Sequence, residues 1–172
     1  MARVSIVGYG QVEPNHLSAQ KTGEILAQLP FYSATATDVL ENGMFAKYDA
    51  ANSKVQLSGN GEWMLHFSEV KVYGERETDA NFAIKVGEYP RLFKTNVGDI
   101  FTTNVYDLNS QGDAGAGDLF IISSGVLTKQ ASTATIGTGA ETDIAVGTIV
   151  FEAVKVTTLP DGKAAVKFIR VQ

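Results

Sequence analysis

Short turn signals divide most of this chain into brief apolar runs, and this spacing restricts the folds that it can adopt. Asn42-Gly43 is a turn signal before a predicted strand at 44–48. Residues 49–52 then predict a turn, and residues 54–57 predict the returning strand. Asn-Gly and similar pairs favour the tight turns of β-hairpins because these residues tolerate positive φ angles. The pattern therefore predicts consecutive antiparallel hairpins.

The last predicted hairpin is the clearest one. Pro160-Asp161-Gly162 joins a predicted strand at 148–157 to another at 165–171. The composition agrees with short strands and tight turns, since the chain has 17 glycines and only 19% charged residues among its 172 residues. We therefore predict a mainly β fold with a sizeable core, because chains of this length bury roughly 70% of their unfolded surface.

A six-residue sequence recurs in the second half of the chain and suggests an internal duplication. FSEVKV at 67–72 is echoed by FEAVKV at 151–156. In both copies the alternation of apolar residues changes phase after the phenylalanine, and a β-bulge would return the following valines to the same face. If the echo marks a duplication, the chain contains two similar β lobes.

The predicted elements divide the chain into three parts. Residues 1–37 form an N-terminal strand and arm, in which Pro14 and Gly23 allow at most one short helix. Residues 38–95 form a first β lobe and residues 96–172 a second one, and one continuous β domain is the alternative to two lobes.

The charge and cysteine content argue against several classes of function. The net charge is −5 and the 14 basic residues are scattered, so we expect no nucleic-acid partner. The absence of cysteine excludes disulfides, thiolate nucleophiles and zinc–sulfur sites, and it suits assembly in a reducing cytoplasm. No run approaches the ~18 apolar residues of a membrane span, and the first residues lack the apolar core of a secretory signal, so we expect no membrane association.

Catalytic residues are sparse. We interpret His66 as a partly buried or interface side chain and His16 as a turn or contact residue. The acidic residues do not form a catalytic pattern either, since carboxylates on strand edges and turns are ordinarily solvated; they are Glu62, Glu69, Glu75, Glu77 and Asp79. We expect no enzyme, no catalytic residues and no cofactor.

Two loop sequences invite a ligand interpretation that we do not favour. Asp113 and Asp118 lie on a glycine-rich loop that could wrap calcium, but the alternating acidic order of an EF-hand is missing, so we expect no metal site. Gly8-Tyr9-Gly10 lacks the third glycine and the helix of a dinucleotide motif, and we interpret it as a turn.

Aromatic residues in the less regular segments are candidate partner anchors or core residues. They are Tyr9, Phe31, Tyr32, Tyr89 and Phe93. A sugar platform built on Trp63 or Tyr89 would make the protein a carbohydrate-binding module or adhesin, which is the less favoured alternative.

Four segments resemble structural proteins of tailed-bacteriophage head modules. They cover about two-fifths of the chain and read GYGQVEPNHLSAQKTGEILAQLP at 8–30, DVLENGMFAKYD at 38–49, PRLFKTNVGDIFTTN at 90–104 and LPDGKAAVKFIRV at 159–171. The resemblance is greatest to head decoration, or cement, proteins.

This resemblance implies a small β-barrel or β-tulip-like body on the outer capsid lattice. It implies binding to the major capsid protein or other virion subunits, a homo-oligomer such as a trimer, and an N-terminal arm that clasps neighbouring subunits. The expected location is the virion, after assembly in the host cytoplasm. A tail, neck or baseplate component is the alternative within the same class.

Overall fold

The computed structural model describes residues 9–69, 82–137 and 144–172. Within these ranges 41% of the residues lie in strands and 3% in helix, which confirms the prediction of a mainly β fold. Helix α1 (Ala19–Thr22) has four residues. The prediction of at most one short helix is therefore confirmed for the described part of the chain.

Strands run through all three described ranges and are numbered in chain order. They are β1 (Val12–His16), β2 (Ile25–Leu26), β3 (Val39–Leu40), β4 (Phe45–Asp49), β5 (Lys54–Gln56), β6 (Glu62–His66), β7 (Ile84–Lys85), β8 (Leu92–Phe93), β9 (Ile100–Thr103), β10 (Tyr106–Asp107), β11 (Leu119–Ser123), β12 (Val126–Lys129), β13 (Val150–Thr158) and β14 (Ala164–Arg170).

The larger sheet has seven strands in the order β1-β9-β14-β13-β11-β12-β10. Its pairs are antiparallel except for β10 and β12, which are parallel. The predicted Pro160-Asp161-Gly162 turn connects β13 to β14. Gly162 has a φ of 83° and its N–H donates to Leu159 O at 2.8 Å. Glycine suits this position because it adopts positive φ without steric cost, and the predicted hairpin is confirmed.

The smaller sheet has five antiparallel strands in the order β2-β8-β6-β4-β5. The predicted turn at 49–52 joins β4 to β5. Its first residue, Asp49, accepts hydrogen bonds from the N–H of Asn52 at 3.1 Å and from the Asn52 side chain at 2.8 Å, which is the local bonding that makes Asp and Asn favourable in turns. β3 and β7 form a separate two-stranded ladder.

Phenylalanine side chains fill the space between the two sheets. The ring centroid of Phe45 in β4 lies 6.1 Å from that of Phe101 in β9 and 5.3 Å from that of Phe151 in β13. Phe101 and Phe151 are themselves 5.5 Å apart, edge to face. All three are fully buried. These tilted arrangements bring positive ring edges against negative ring faces, which stabilises each pair by roughly 0.5–1.5 kcal/mol beyond simple burial.

The outer face of the smaller sheet is also buried. In β6, Leu65 faces the phenylalanine cluster, whereas Met64 belongs to a second apolar cluster on the opposite side. Leu40 of β3 and Ile84 of β7 belong to that second cluster, so the β3–β7 ladder covers this face. β6 is therefore a central strand with no solvent-facing side between residues 64 and 66.

β13 contains the predicted change of phase. The register of the β13–β14 pairing shifts between Ala153 and Lys155. Beyond the shift, Val156 pairs with Val166, which is fully buried on the core face of β14. The bulge is thus confirmed, and it places Val156 on the same face of the sheet as Val166. Val154 and Val156 are nevertheless 41% and 51% exposed, so this part of β13 lies outside the buried core.

The matching six-residue sequence at 67–72 cannot be compared in the same way. Val70 and Val72 lie outside the described residues, and so does the strand expected near residues 3–6. The duplication therefore stays a prediction. Residues 38–95 supply most of the smaller sheet and residues 96–172 most of the larger one, and the two sheets share one apolar core. No closed barrel forms among the described strands.

The N-terminal segment is packed against the body over residues 12–26. β1 pairs with β9 of the larger sheet, and β2 pairs with β8 of the smaller one. Leu17 and Ala19, between these strands, belong to the phenylalanine core. Pro14 and a register shift after Glu13 interrupt β1, features that discourage further strand pairing at a sheet edge.

Replacing Phe101 with Ala should lower the free energy of unfolding by about 3–5 kcal/mol, because it leaves a cavity between the two sheets. Urea unfolding followed by Trp63 fluorescence measures this loss. Val97→Ala, a change at a residue that is 68% exposed, serves as the control and should cost less than about 0.5 kcal/mol. Equal losses in the two variants would contradict the assigned core.

Candidate functional site

The turn at 41–44 packs against the end of β6 and the chain before β1. The N–H of Gly43 donates to His66 O at 2.9 Å, and the N–H of Met44 donates to Glu41 O at 3.2 Å. Gly10 lies so close that a Cβ placed there would be 2.4 Å from Asn42 O. Gly10 is therefore a close-packing position. Gly8 lies outside the described residues, so the interpretation of Gly8-Tyr9-Gly10 as a turn stays a prediction.

Polar side chains around this turn form a buried network, which we call the His66 junction. Its members are Gly10, Glu41, Asn42, His66 and Ser68. Glu41 is 2% exposed, and its carboxylate accepts the N–H of Gly10 at 2.7 Å. The Asn42 side chain donates to Ser68 O at 3.0 Å and accepts the Ser68 N–H at 2.8 Å.

His66 is completely buried at the centre of the junction. Its Nδ1 lies 2.8 Å from the backbone oxygen of Glu41, and its Nε2 lies 2.9 Å from Ser68 Oγ. A carbonyl oxygen can only accept, so Nδ1 carries the proton and Nε2 accepts from the serine hydroxyl. Burial lowers the pKa of His66 to about 4. The imidazole is therefore neutral at pH 7.

An open cleft of about 480 Å³ lies over the junction. Five parts of the chain line it, namely residues 9–13, 42, 67–68, 82 and 159–161. Ser68 is thus the member of the histidine–serine pair that borders the cleft.

The histidine–serine pair has the spacing of a base and a nucleophile, which lie 2.6–3.2 Å apart in active sites. Its other contacts favour a structural role. Ser68 is only 6% exposed, and its Oγ also accepts the N–H of Arg91 at 3.0 Å. Every hydrogen-bonding position of the imidazole is occupied by the protein. The pair therefore braces the 41–44 turn against β6 and the start of β8.

His66 was a candidate from the sequence alone, whereas Ser68 was not. The available signal was their spacing, since residues two apart on an extended chain point to the same side. His16, by contrast, is exposed at the end of β1, about where a turn or contact residue is expected.

The carboxylates considered for acid–base chemistry are separated. Glu62 lies 3.5 Å from the ammonium of Lys94, and Glu69 lies 3.2 Å from the guanidinium of Arg91. Both are exposed at opposite ends of the β6 segment. Glu75, Glu77 and Asp79 lie outside the described residues.

The glycine-rich loop considered for calcium surrounds a lysine instead. Lys129 Nζ lies 2.7 Å from a carboxylate oxygen of Asp118 and donates to the backbone oxygen of Asp113 at 2.5 Å. The same carboxylate oxygen accepts the N–H of Gly115 at 2.7 Å. Burial acts to raise the pKa of Asp118, but the hydrogen bonds from Lys129 and Gly115 outweigh it and hold the pKa below its usual value.

Acidic, histidine and cysteine side chains do not cluster as a metal site anywhere in the described ranges. At the glycine-rich loop, the ammonium of Lys129 already supplies the positive charge beside the carboxylate of Asp118.

The aromatic candidates differ in burial, and Tyr9 is half-buried. Phe31 and Phe93 are fully buried, whereas Tyr32 and Tyr89 are 51% and 60% exposed. Lys47 Nζ lies 5.0 Å from the ring centroid of Trp63, and that ring packs on the main core. Its faces are therefore poorly available for stacking on a sugar.

Comparisons with known proteins find no relatives: no family model, curated protein or solved structure matches this chain. Among the described helices, none has the length and apolar character needed to cross a bilayer.

Stability should fall as the pH decreases from 6.5 to about 4, the interval between the unfolded and folded pKa values of His66. In this interval the unfolded chain binds a proton at His66 and the folded chain does not, so acid favours unfolding. The full loss amounts to about 3 kcal/mol, from a shift between 6.5 and about 4. Urea unfolding at several pH values measures it, and NMR titration of the ring reports the folded pKa directly.

His16→Gln is the matched control, because it removes the other imidazole of the chain at an exposed position outside the His66 junction. In this variant, a ring that titrates near 6.5 in the folded protein would contradict the assignment of His66 as buried and neutral.

Lys129→Met should destabilise the protein by about 3 kcal/mol, because it leaves the partly buried carboxylate of Asp118 without its ammonium partner. Lys155→Met, on the exposed side of β13, should have little effect.

Added calcium should not raise the melting temperature of the wild-type protein. A calcium-dependent increase would show that the loop binds metal after all.

Proposed function

We propose that this protein is a structural component of a bacteriophage virion that binds the assembled capsid and stabilises it. It acts by adding contact area between capsid subunits rather than by catalysis. Its partner is the major capsid protein, and several copies act together as a homo-oligomer, for which a trimer is the expected form. The expected location is the outer capsid surface.

The observation that carries this proposal is the arrangement of the four phage-like segments. β1 from the first segment pairs with β9 from the third, and β9 pairs with β14 from the fourth. The second segment joins them through Gly10, whose N–H donates to Glu41. Segments that are far apart in the sequence are thus neighbours in space, as expected if the resemblance reflects a shared body rather than unrelated turns.

A second support is a pair of exposed valines on hydrogen-bonded turns. Val97 is 68% exposed and Val146 is 82% exposed. Each precedes a glycine with positive φ, Gly98 at 93° and Gly147 at 88°. The turns close through backbone hydrogen bonds, of 3.0 Å in the first and 3.1 Å in the second. Side chains held in this way lose little entropy on binding, which favours their use as contact residues.

The two valines lie at the same end of the larger sheet. Their turns lead into β9 and β13, the two strands that flank β14. We assign the capsid contact to this end, which we call the valine end. Val156, opposite Val166 near the turn of the hairpin, is close to the other end of the same sheet.

Stabilisation follows from linkage. A protein that binds the assembled lattice and not the free subunit shifts the equilibrium toward the lattice by its binding free energy. Several linked copies around a symmetry axis would bind more tightly than one copy, because the later contacts become intramolecular.

Val97→Asp and Val146→Asp should each weaken binding to expanded capsids by about tenfold, because a charge placed in an apolar contact must lose its hydration. Co-sedimentation of purified protein with expanded capsids measures the affinity. Val156→Asp is the matched control, since it introduces the same charge at a half-exposed valine away from the valine end, and it should bind as the wild type does.

Each result bears on a different part of the proposal. Equal binding by all three variants would exclude the valine end as the contact. If the wild type does not bind expanded capsids, and virions that lack it survive heat and osmotic shock unchanged, decoration is rejected. A labelled copy seen by electron microscopy on the tail, neck or baseplate would support the alternative virion position.

A further inference from the structure

The chain contains two Asn-Gly pairs, Asn42-Gly43 and Asn60-Gly61. An Asn-Gly pair can lose ammonia spontaneously, because glycine has no side chain to hinder attack of its backbone nitrogen on the preceding side-chain amide. The reaction needs the asparagine side chain and the glycine N–H to be free to approach each other. The two pairs can therefore be compared within one molecule.

The first pair is held in an unreactive arrangement by the His66 junction. The Gly43 N–H donates to His66 O at 2.9 Å. The Asn42 side chain is held at both of its polar atoms by the backbone of Ser68, at 3.0 and 2.8 Å. A Cβ placed at Gly43 would lie 2.3 Å from Thr103 Oγ1, so the backbone has little space in which to move.

The second pair lacks the hydrogen bonds that hold the first pair. Asn60 and Gly61 are exposed in the turn between β5 and β6. Within the described ranges, neither the Asn60 side chain nor the Gly61 N–H makes a hydrogen bond. Gly61 also has a φ of 110°, which reserves the position for glycine because other residues rarely adopt that angle.

We propose that Asn60 is a site of spontaneous deamidation in the folded protein and that Asn42 is protected. A base removes the proton of the Gly61 N–H, and the nitrogen attacks Cγ of Asn60. The N–Cγ bond forms, the Cγ–Nδ2 bond breaks, and the amide leaves as ammonia after taking up a proton. Water then opens the cyclic imide at one of its two carbonyls, giving aspartate or isoaspartate with no change in oxidation state.

Either product alters the β5–β6 turn. Both add one negative charge near Lys47, whose ammonium donates to Gly59 O at 2.5 Å. Isoaspartate also adds a backbone carbon immediately before Gly61. The backbone there is tightly packed, since a Cβ at Gly61 would lie 2.6 Å from Tyr48 O. Isoaspartate should therefore disturb the pairing of Tyr48 with Glu62 at the start of the β4–β6 ladder.

The test is to keep the folded protein in mildly alkaline buffer and to follow both asparagines by peptide mapping and mass spectrometry. We expect Asn60 to convert at least roughly a hundredfold faster than Asn42, because misplacement of reacting groups by about an ångström costs that much in rate. A parallel sample unfolded in urea should show similar rates at the two sites. Asn60→Gln is the matched variant, and its map should lose the conversion at residue 60.

Two results would overturn the proposal. One is conversion of Asn42 at the rate of Asn60 in the folded protein. The other is an Asn60 that reacts in urea but not in the native state, which would mean that the turn prevents the attack. Neither outcome depends on capsid binding, so this test is independent of the proposed function.

Discussion

The packing of the two sheets through phenylalanine rings is the interaction on which the rest of the structure depends. Phe45 comes from one sheet and Phe101 and Phe151 from the other, so neither sheet can bury its inner face alone. Two of the strands that enter this core begin with the same turn. In the turn before Phe101, the carboxylate of Asp99 accepts the N–H of Asn96 at 2.8 Å. In the turn before Phe120, the carboxylate of Asp118 accepts the N–H of Gly115 at 2.7 Å. Each turn thereby sets the register that points its phenylalanine inward.

Burial of both faces of the smaller sheet has a consequence for the polar residues of β6. His66 cannot reach solvent, so its nitrogen atoms must find partners inside the protein. The partners of the imidazole are the backbone oxygen of Glu41 and the hydroxyl of Ser68. The backbone of His66 and Ser68, in turn, holds Gly43 and Asn42. The end of β6 thus binds the 41–44 turn through both side-chain and backbone hydrogen bonds. Lys129 plays a similar part in the larger sheet, where its ammonium orders the glycine-rich loop.

Several polar groups inside the protein already have partners within it. The histidine, the lysine and the loop aspartate that a chemical site could use already serve the fold. The most exposed large apolar side chains in the described ranges include Val97 and Val146, which lie on hydrogen-bonded turns. Apolar side chains on hydrogen-bonded turns are suited to the contact that we propose, since little order has to be gained on binding.

The sequence by itself determined the mainly β class, the hairpin turns at 49–52 and 160–162, and the bulge in β13. These features depend on local φ preferences and on the alternation of neighbouring side chains, which a linear pattern records. Only the tertiary structure decided that residues 12–26 contribute strands to two different sheets. It also decided that Ser68 hydrogen-bonds to His66 and that Lys129 occupies the loop considered for calcium. These contacts join strands and loops whose pairing is not encoded in any one segment. Their physical basis is the shared core, which brings distant residues together and obliges buried polar groups to find one another.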